Sequence, residues 1–181
     1  MRAFLGLAVR PEWIGPLVSA QGRLRGGNRV GAEDLHVTLA FLDDQPEAKL
    51  EALHEALDTR RLGSAEVQAL AYAVLGSSRA RAVVLDLVAN AGLAALRDTV
   101  RTAARSAGID LPRERFRPHV TLVRFAATAP ADADRLQGAL TRLGAPDLPT
   151  RRATGLTLWS SVLTPDGPIY DTLSTYPLRA A

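Results

Sequence analysis

An α+β fold is predicted from the order of strand and helix patterns along the chain, roughly β α β α β β α β α β β, and from two kinds of link between them. Successive strand patterns are joined by turn-forming residues, which suits antiparallel pairing, while the remaining links are helical crossovers. Arg2 to Val9 is an apolar run of strand length, and Pro11 to about Leu24 reads as an irregular helix interrupted by Pro16 and Gly22. Gly26, Gly27 and Asn28 form a loop. Leu35 to Leu42 alternates polar and apolar residues as a half-buried strand does, and Pro46 then opens a helix with Leu50, Leu53 and Leu57 on one face.

Ala65 to Leu75 and Ala82 to Ala89 are β-rich and flank Gly76-Ser77-Ser78, a hairpin-type connection. Asn90 is a good N-cap for a helix through about Ser106, with Leu93, Leu96 and Val100 at core spacing and Gly108 past its end. A loop from Asp110 to Glu114 leads to a strand from about Arg117 to Phe125, and a helix spans about Ala131 to Leu143. Thr154 to Leu163 and Ile169 to Leu178 complete the chain as two strands joined through Thr164-Pro165-Asp166-Gly167-Pro168.

With 181 residues, 47% of them hydrophobic, the chain can bury a substantial core, and a single compact domain over residues 1–181 is expected. No apolar run reaches the length of a membrane span, and the stretch Ala3 to Val9 closes on Arg10-Pro11-Glu12, so it reads as a first strand and not a signal peptide. The absence of cysteine removes disulfides, thiolate nucleophiles and Cys-ligated zinc, in keeping with a cytoplasmic protein. A monomer without membrane attachment is expected. The sequence pI near 9.9 favours an anionic partner, but the basic residues are arginines except Lys49, in a chain crowded with alanine and leucine, so compositional bias dilutes that signal.

The informative feature is a tetrapeptide that occurs twice: His36-Val37-Thr38-Leu39 and His119-Val120-Thr121-Leu122. Side chains alternate along a strand, so each histidine shares a face with the threonine two places on, while valine and leucine enter the core behind them. With 13 threonines in 181 residues, such a threonine is a roughly one-in-fourteen coincidence per histidine, yet two of the three histidines have one. An internal duplication explains the pair most simply. If the two strands meet, two imidazoles and two hydroxyls converge: one neutral histidine takes a proton from water, the other protonates a leaving oxygen, and the hydroxyls donate to the non-bridging oxygens of a phosphate. No metal or other cofactor is needed. His54 lies among Glu51, Glu55 and Asp58 on a helix and reads as solvated surface.

These motifs resemble those of the two-histidine phosphoesterase superfamily. The surroundings resemble more narrowly the bacterial and archaeal RNA 2',3'-cyclic phosphodiesterases, also called 2'-5' RNA ligases: Arg2 to Leu7 with Phe4, Glu33-Asp34-Leu35, Phe116-Arg117-Pro118, Ser161 to Pro165, Gly167-Pro168 and Tyr170. That resemblance implies two pseudosymmetric lobes, each an antiparallel sheet backed by helices, with His36, His119, Thr38 and Thr121 in the cleft between them. It implies opening of an RNA 2',3'-cyclic phosphate, or a cyclic nucleotide, to a 2'-phosphate, with reversible 2'-5' ligation beside it. It also implies that His119 activates water, that His36 protonates the 3'-oxygen, and that Arg124 binds phosphate.

Position 124 has the wrong strand parity to share a face with Thr121, so that role requires a bulge or a reach from the strand end. Arg117 has the right parity and is either a phosphate ligand or a structural ion-pair partner. Phe4 and Tyr170 are either ligand contacts or core residues. Where the family carries a tryptophan before the first motif, this chain has Asn28-Arg29-Val30, and Arg29 offers guanidinium stacking in its place. An ATP-dependent ligase is disfavoured, because no Gly-x-x-x-x-Gly-Lys-Ser/Thr loop is present and Lys49 precedes a leucine on a helix. Two alternatives stay open: a phosphodiesterase for 2'-5' oligonucleotides or small cyclic nucleotides, and a non-catalytic module that binds RNA ends.

Overall fold

The computed structural model describes residues 1–180. In chain order the strands are β1 (Arg2–Ala8), β2 (Asn28–Arg29), β3 (His36–Asp44), β4 (Leu62–Gly63), β5 (Glu66–Val67), β6 (Ala69–Gly76), β7 (Arg79–Leu87), β8 (His119–Arg124), β9 (Ala131–Asp132), β10 (Arg151–Arg152), β11 (Gly155–Thr164) and β12 (Gly167–Arg179). The helices are α1 (Pro11–Gly22), α2 (Glu47–Asp58), α3 (Ala91–Ser106) and α4 (Ala133–Leu143).

The main sheet runs in the order β4-β12-β11-β1-β3-β8-β7-β6, with β2 on β8 and β9 on β7; β10 and β5 form a separate pair. Every pairing in the main sheet is antiparallel except β12 with β4. The α+β class follows. One half of the sheet holds β1, β3, β11 and β12, the other β6, β7 and β8, and the halves join where Val37 pairs with Val120.

The helices cross between the halves. Helix α1 leaves β1 and packs against β8, while α3 leaves β7 and packs against β3 and α2. Each helix buries the stripe its spacing dictates: Trp13, Leu17 and Ala20 from α1, Leu50, Leu53 and Leu57 from α2, Leu93, Leu96 and Val100 from α3, and Leu136 and Leu140 from α4. Asn90 caps α3 by accepting from the Leu93 N–H at 2.9 Å, as its position predicts. No helix among the described residues is long and apolar enough to cross a membrane.

Two local expectations change. Helix α1 is continuous through Pro16, because the proline faces solvent while Trp13 and Leu17 anchor the buried side. The segment Ala65 to Leu75 splits into β5, which pairs with β10, and β6, which pairs with β7. Strand β1 is central and buried over Ala3 to Leu7, and Gly6 pairs with Thr38 of β3. A methyl group there would run into the Val37 carbonyl oxygen and press on the Trp159 ring. Gly6→Ala is therefore expected to lower stability by about 1–3 kcal/mol in urea denaturation, the usual cost of an overpacked site. An unchanged midpoint would mean that β1 and β3 are not so tightly apposed.

Candidate active site

The repeated tetrapeptides lie at the start of β3 and β8, which run antiparallel with Val37 opposite Val120. Continuing that register one step each way sets His36 across from Thr121 and Thr38 across from His119, so each histidine faces the threonine of the other motif. Both valines are almost fully buried. Strand alternation therefore turns the two histidines and two threonines together onto the opposite face.

The rings are held in the same way. His36 Nδ1 lies 2.6 Å from the Asp34 carbonyl oxygen, and His119 Nδ1 lies 2.7 Å from the Arg117 carbonyl oxygen. A carbonyl only accepts, so Nδ1 carries the hydrogen in each ring, and Nε2 is left as the nitrogen that can exchange a proton. Their settings differ. His36 rests against Phe4, Trp159 and Tyr170, with ring centroids 4.8, 5.4 and 5.4 Å away. Burial among these rings is the main cause that lowers its pKa from 6.5 to about 4; the Arg124 and His119 charges push the same way, and the Asp34 carbonyl opposes them. His119 instead stands beside Asp86, its cross-strand neighbour on β7.

Arg124 reaches the site through a bulge. Strand β7 pairs Val83 with Val123 and Val84 with Thr121, so Leu122 is an extra residue in β8 and the facing of the strand resets after it. Leu122 and Val123 are consequently both buried, and Arg124 turns back towards the face that carries Thr121. The buried Gln21 of α1 pins this bulge, its amide donating to the carbonyls of Leu122 and Val30 at 2.8 Å each. The Arg124 guanidinium donates to the Tyr170 hydroxyl at 3.3 Å and borders a cavity of about 220 Å³ with Arg29, Asp34, Asp166 and Tyr170.

A family model described as the 2'-5' RNA ligase superfamily matches residues 11–162. The chain belongs to the 2'-5' RNA ligase superfamily. Proteins named RNA 2',3'-cyclic phosphodiesterase are 32% identical in Geobacillus stearothermophilus, over 84% of this chain and 48% of that protein, and 30% identical in Thermus thermophilus, over 99% and 91%. The chain thus spans about half the length of the Geobacillus relative and most of the Thermus one. Among solved structures, E. coli LigT complexed with 3'-AMP superposes with a TM-score of 0.76 at 22% identity, covering 98% of this chain and 97% of that one. A crystal structure of a Thermus thermophilus protein gives 0.78 at 24%, covering 99% of each. At these identities the structural likeness speaks for the fold.

In this superfamily member the other candidate residues separate by what they touch. Arg117 makes a two-pronged ion pair with Asp86, at 3.0 and 2.8 Å, which raises its own pKa further and ties up its charge beside His119. Phe4 is 3% exposed and serves as the floor under His36. Tyr170 is half-buried and links that floor to Arg124. His54 is exposed as expected, although its ring also bonds the Tyr176 hydroxyl at 2.9 Å.

Sequence reasoning missed two residues. Trp159 stacks on Phe4 at 5.1 Å, and the alternation Thr157, Trp159, Ser161, opposite Leu156 and Leu158, was the available signal. Phe41 stands three places after Thr38 as Arg124 stands three after Thr121, and β3 also bulges, at Leu39. It is 44% exposed, carries the Arg2 guanidinium 4.7 Å over its ring, and lines a groove of about 530 Å³ with Thr38, Phe116, Arg117 and His119. Among the described residues, no three His, Cys, Asp or Glu side chains gather as a metal ion needs.

In an NMR titration the His36 ring is expected to change charge near pH 4. Because its folded pKa is depressed, its contribution to stability is complete above pH 6.5 and is lost as pH falls through that window towards 4. Phe4→Ala admits water beside the ring and should move the midpoint up towards 6.5; a wild-type midpoint already there would contradict the buried setting.

Proposed function

We propose that this chain opens RNA 2',3'-cyclic phosphates to 2'-phosphates by acid and base catalysis, working as a single two-lobed unit. The observation that carries the reading is the crossed pairing of the motifs, each imidazole facing the other motif's hydroxyl and each leaving its Nε2 free for the cleft. The names of the Geobacillus and Thermus relatives support the substrate class.

The steps follow from the groups present. Arg124 holds a non-bridging phosphate oxygen, and the Thr38 and Thr121 hydroxyls donate to the equatorial oxygens as the five-coordinate state gathers charge. Water attacks phosphorus while one imidazole takes its proton. The bond from phosphorus to the 3'-oxygen breaks, the second imidazole protonates that oxygen, and a 2'-phosphate and a free 3'-hydroxyl result. Reversible 2'-5' ligation is the same exchange with an RNA 5'-hydroxyl in place of water and no ATP. Phe41, exposed in the groove on the His119 side, offers the neighbouring base an aromatic face.

We assign the base to His36 and the acid to His119, which reverses the roles implied by the resemblance. A ring whose pKa lies near 4 is neutral at physiological pH and has no proton to give, so in the free protein His36 is ready to accept one. Arg117 is left as the ion-pair partner of Asp86, and the phosphate falls to Arg124.

Turnover of a 2',3'-cyclic mononucleotide in EDTA is expected to fall by about 10² to 10⁴ in both His36→Ala and His119→Ala. The acidic limb of wild-type kcat/KM should lie near pH 4. A substrate with sulfur as the 3' bridging atom leaves without protonation, so it should rescue His119→Ala and not His36→Ala. The opposite rescue restores the other assignment, and no turnover of any cyclic phosphate leaves an RNA-end binding module.

A further inference from the structure

We propose that the arginine-lined cavity between the C-terminal end of α1 and helix α4 is a second phosphate site, which holds the body of the RNA whose end reacts in the cleft. The inference rests on the phosphodiesterase reading. The cavity measures about 650 Å³ and is lined by Arg23, Arg25, Asp132, Arg135, Ala139 and Arg142, among others. On α4 the positions 135, 139 and 142 share one face, so two guanidinium groups flank the small Ala139 and leave the space between them open. Arg23 donates to the Arg142 carbonyl at 3.3 Å, which ties the end of α1 to the end of α4. The single acid, Asp132, already caps α4 by accepting the Arg135 N–H at 3.0 Å.

Charge balance separates this cavity from the groove beside His119. Among the described residues, Arg23, Arg25, Arg135 and Arg142 form no salt bridge, so their charge is uncompensated at close range. In the groove, Arg117 is paired with Asp86, Arg101 donates to the Pro112 carbonyl, and Arg97 donates to the Glu114 carbonyl while lying over Phe116. Four acids, Asp43, Asp44, Asp110 and Glu114, line the same groove. A polyanion leaving the cleft therefore meets net positive charge on the α4 side and near neutrality on the other.

One segment of chain separates the two phosphate sites. Asn28 and Arg29 pair with Arg124 and Val123, and the segment containing them walls both spaces: Asn28 to Gly31 line the cavity beside Arg124, and Arg25 and Gly26 line the arginine cavity. The ridge between is Gly26-Gly27. Both have positive φ, 77° and 70°, and a methyl at Gly27 would strike Val123, Phe125 and the Arg124 carbonyl. The ridge thus carries no side chain, and a single strand can cross it from Arg29 to Arg25.

The test uses the whole protein with Arg25→Gln, Arg135→Gln and Arg142→Gln combined, three exposed residues outside the cleft. Binding is read by fluorescence anisotropy with a labelled ten-nucleotide RNA ending in a 2'-phosphate, and chemistry by turnover of 2',3'-cyclic AMP. Single-stranded RNA loses about 0.7 in the slope of log affinity against log salt for each phosphate contact removed. The triple variant is therefore expected to lose about 2 in slope and on the order of tenfold or more in affinity, with cyclic AMP turnover unchanged. Wild-type affinity and slope in the triple variant would overturn the site. So would a loss confined instead to Arg97→Gln with Arg115→Gln, which would place the RNA along the other groove. Loss of RNA binding in the triple variant, with no cyclic AMP turnover by the wild type, supports the site and rejects the phosphodiesterase reading.

Discussion

The arrangement depends on one cross-strand contact, the antiparallel pairing of Val37 with Val120. It is the point where the two halves of the sheet join, and it fixes which side chains stand opposite each other on the cleft face. A register slip of one residue would turn both histidines and both threonines into the core and expose the two valines. The apolar burial of those valines therefore holds the polar quartet in place. The exchange of helices, α1 onto β8 and α3 onto β3, clamps the joint from behind.

Symmetry supplies two equivalent nitrogens; the flanking residues make them unequal. Both imidazoles use Nδ1 on the carbonyl two residues back, so tautomer does not distinguish them. What differs lies three places after each threonine and on the neighbouring strands. Arg124 stands at one such position and Phe41 at the other, and β1, β11 and β12 bring Phe4, Trp159 and Tyr170 to His36 while β7 brings Asp86 to His119. An aromatic setting next to a guanidinium favours a neutral ring. The same fold thus gives the two rings unlike settings, the difference on which the proposed division of acid and base rests.

The grouping of His36, Thr38, His119 and Thr121 was legible because its signal is a period of two, repeated, and strand geometry converts that period directly into a shared face. Parity also made legible that Arg124 needs a bulge or a reach from the strand end to join that face, and the extra residue Leu122 supplies the bulge. Other features lay beyond a linear reading. That Arg117 pairs with Asp86 and that Gln21 pins Leu122 depend on which strands and helices become neighbours, across 31 and 101 positions of chain. For Trp159 the local alternation marks a face of β11, but the C-terminal strands look like a hairpin, with nothing local to show that β11 would lie against β1. The two lobes of antiparallel sheet implied by the resemblance are the two halves of the main sheet, and the register of a single residue pair carries the hydrogen bonding across their joint.

The central claim is that two imidazoles from distant parts of the chain act on one phosphorus. A crystal structure with uridine 2',3'-cyclic vanadate, which mimics the five-coordinate state, tests it directly. Joint action of the two rings requires one vanadium centre with both Nε2 atoms at about 2.7–3.0 Å from its apical oxygens and the two threonine hydroxyls on its equatorial oxygens. A vanadate held by one histidine alone, with the other ring turned away, would contradict it.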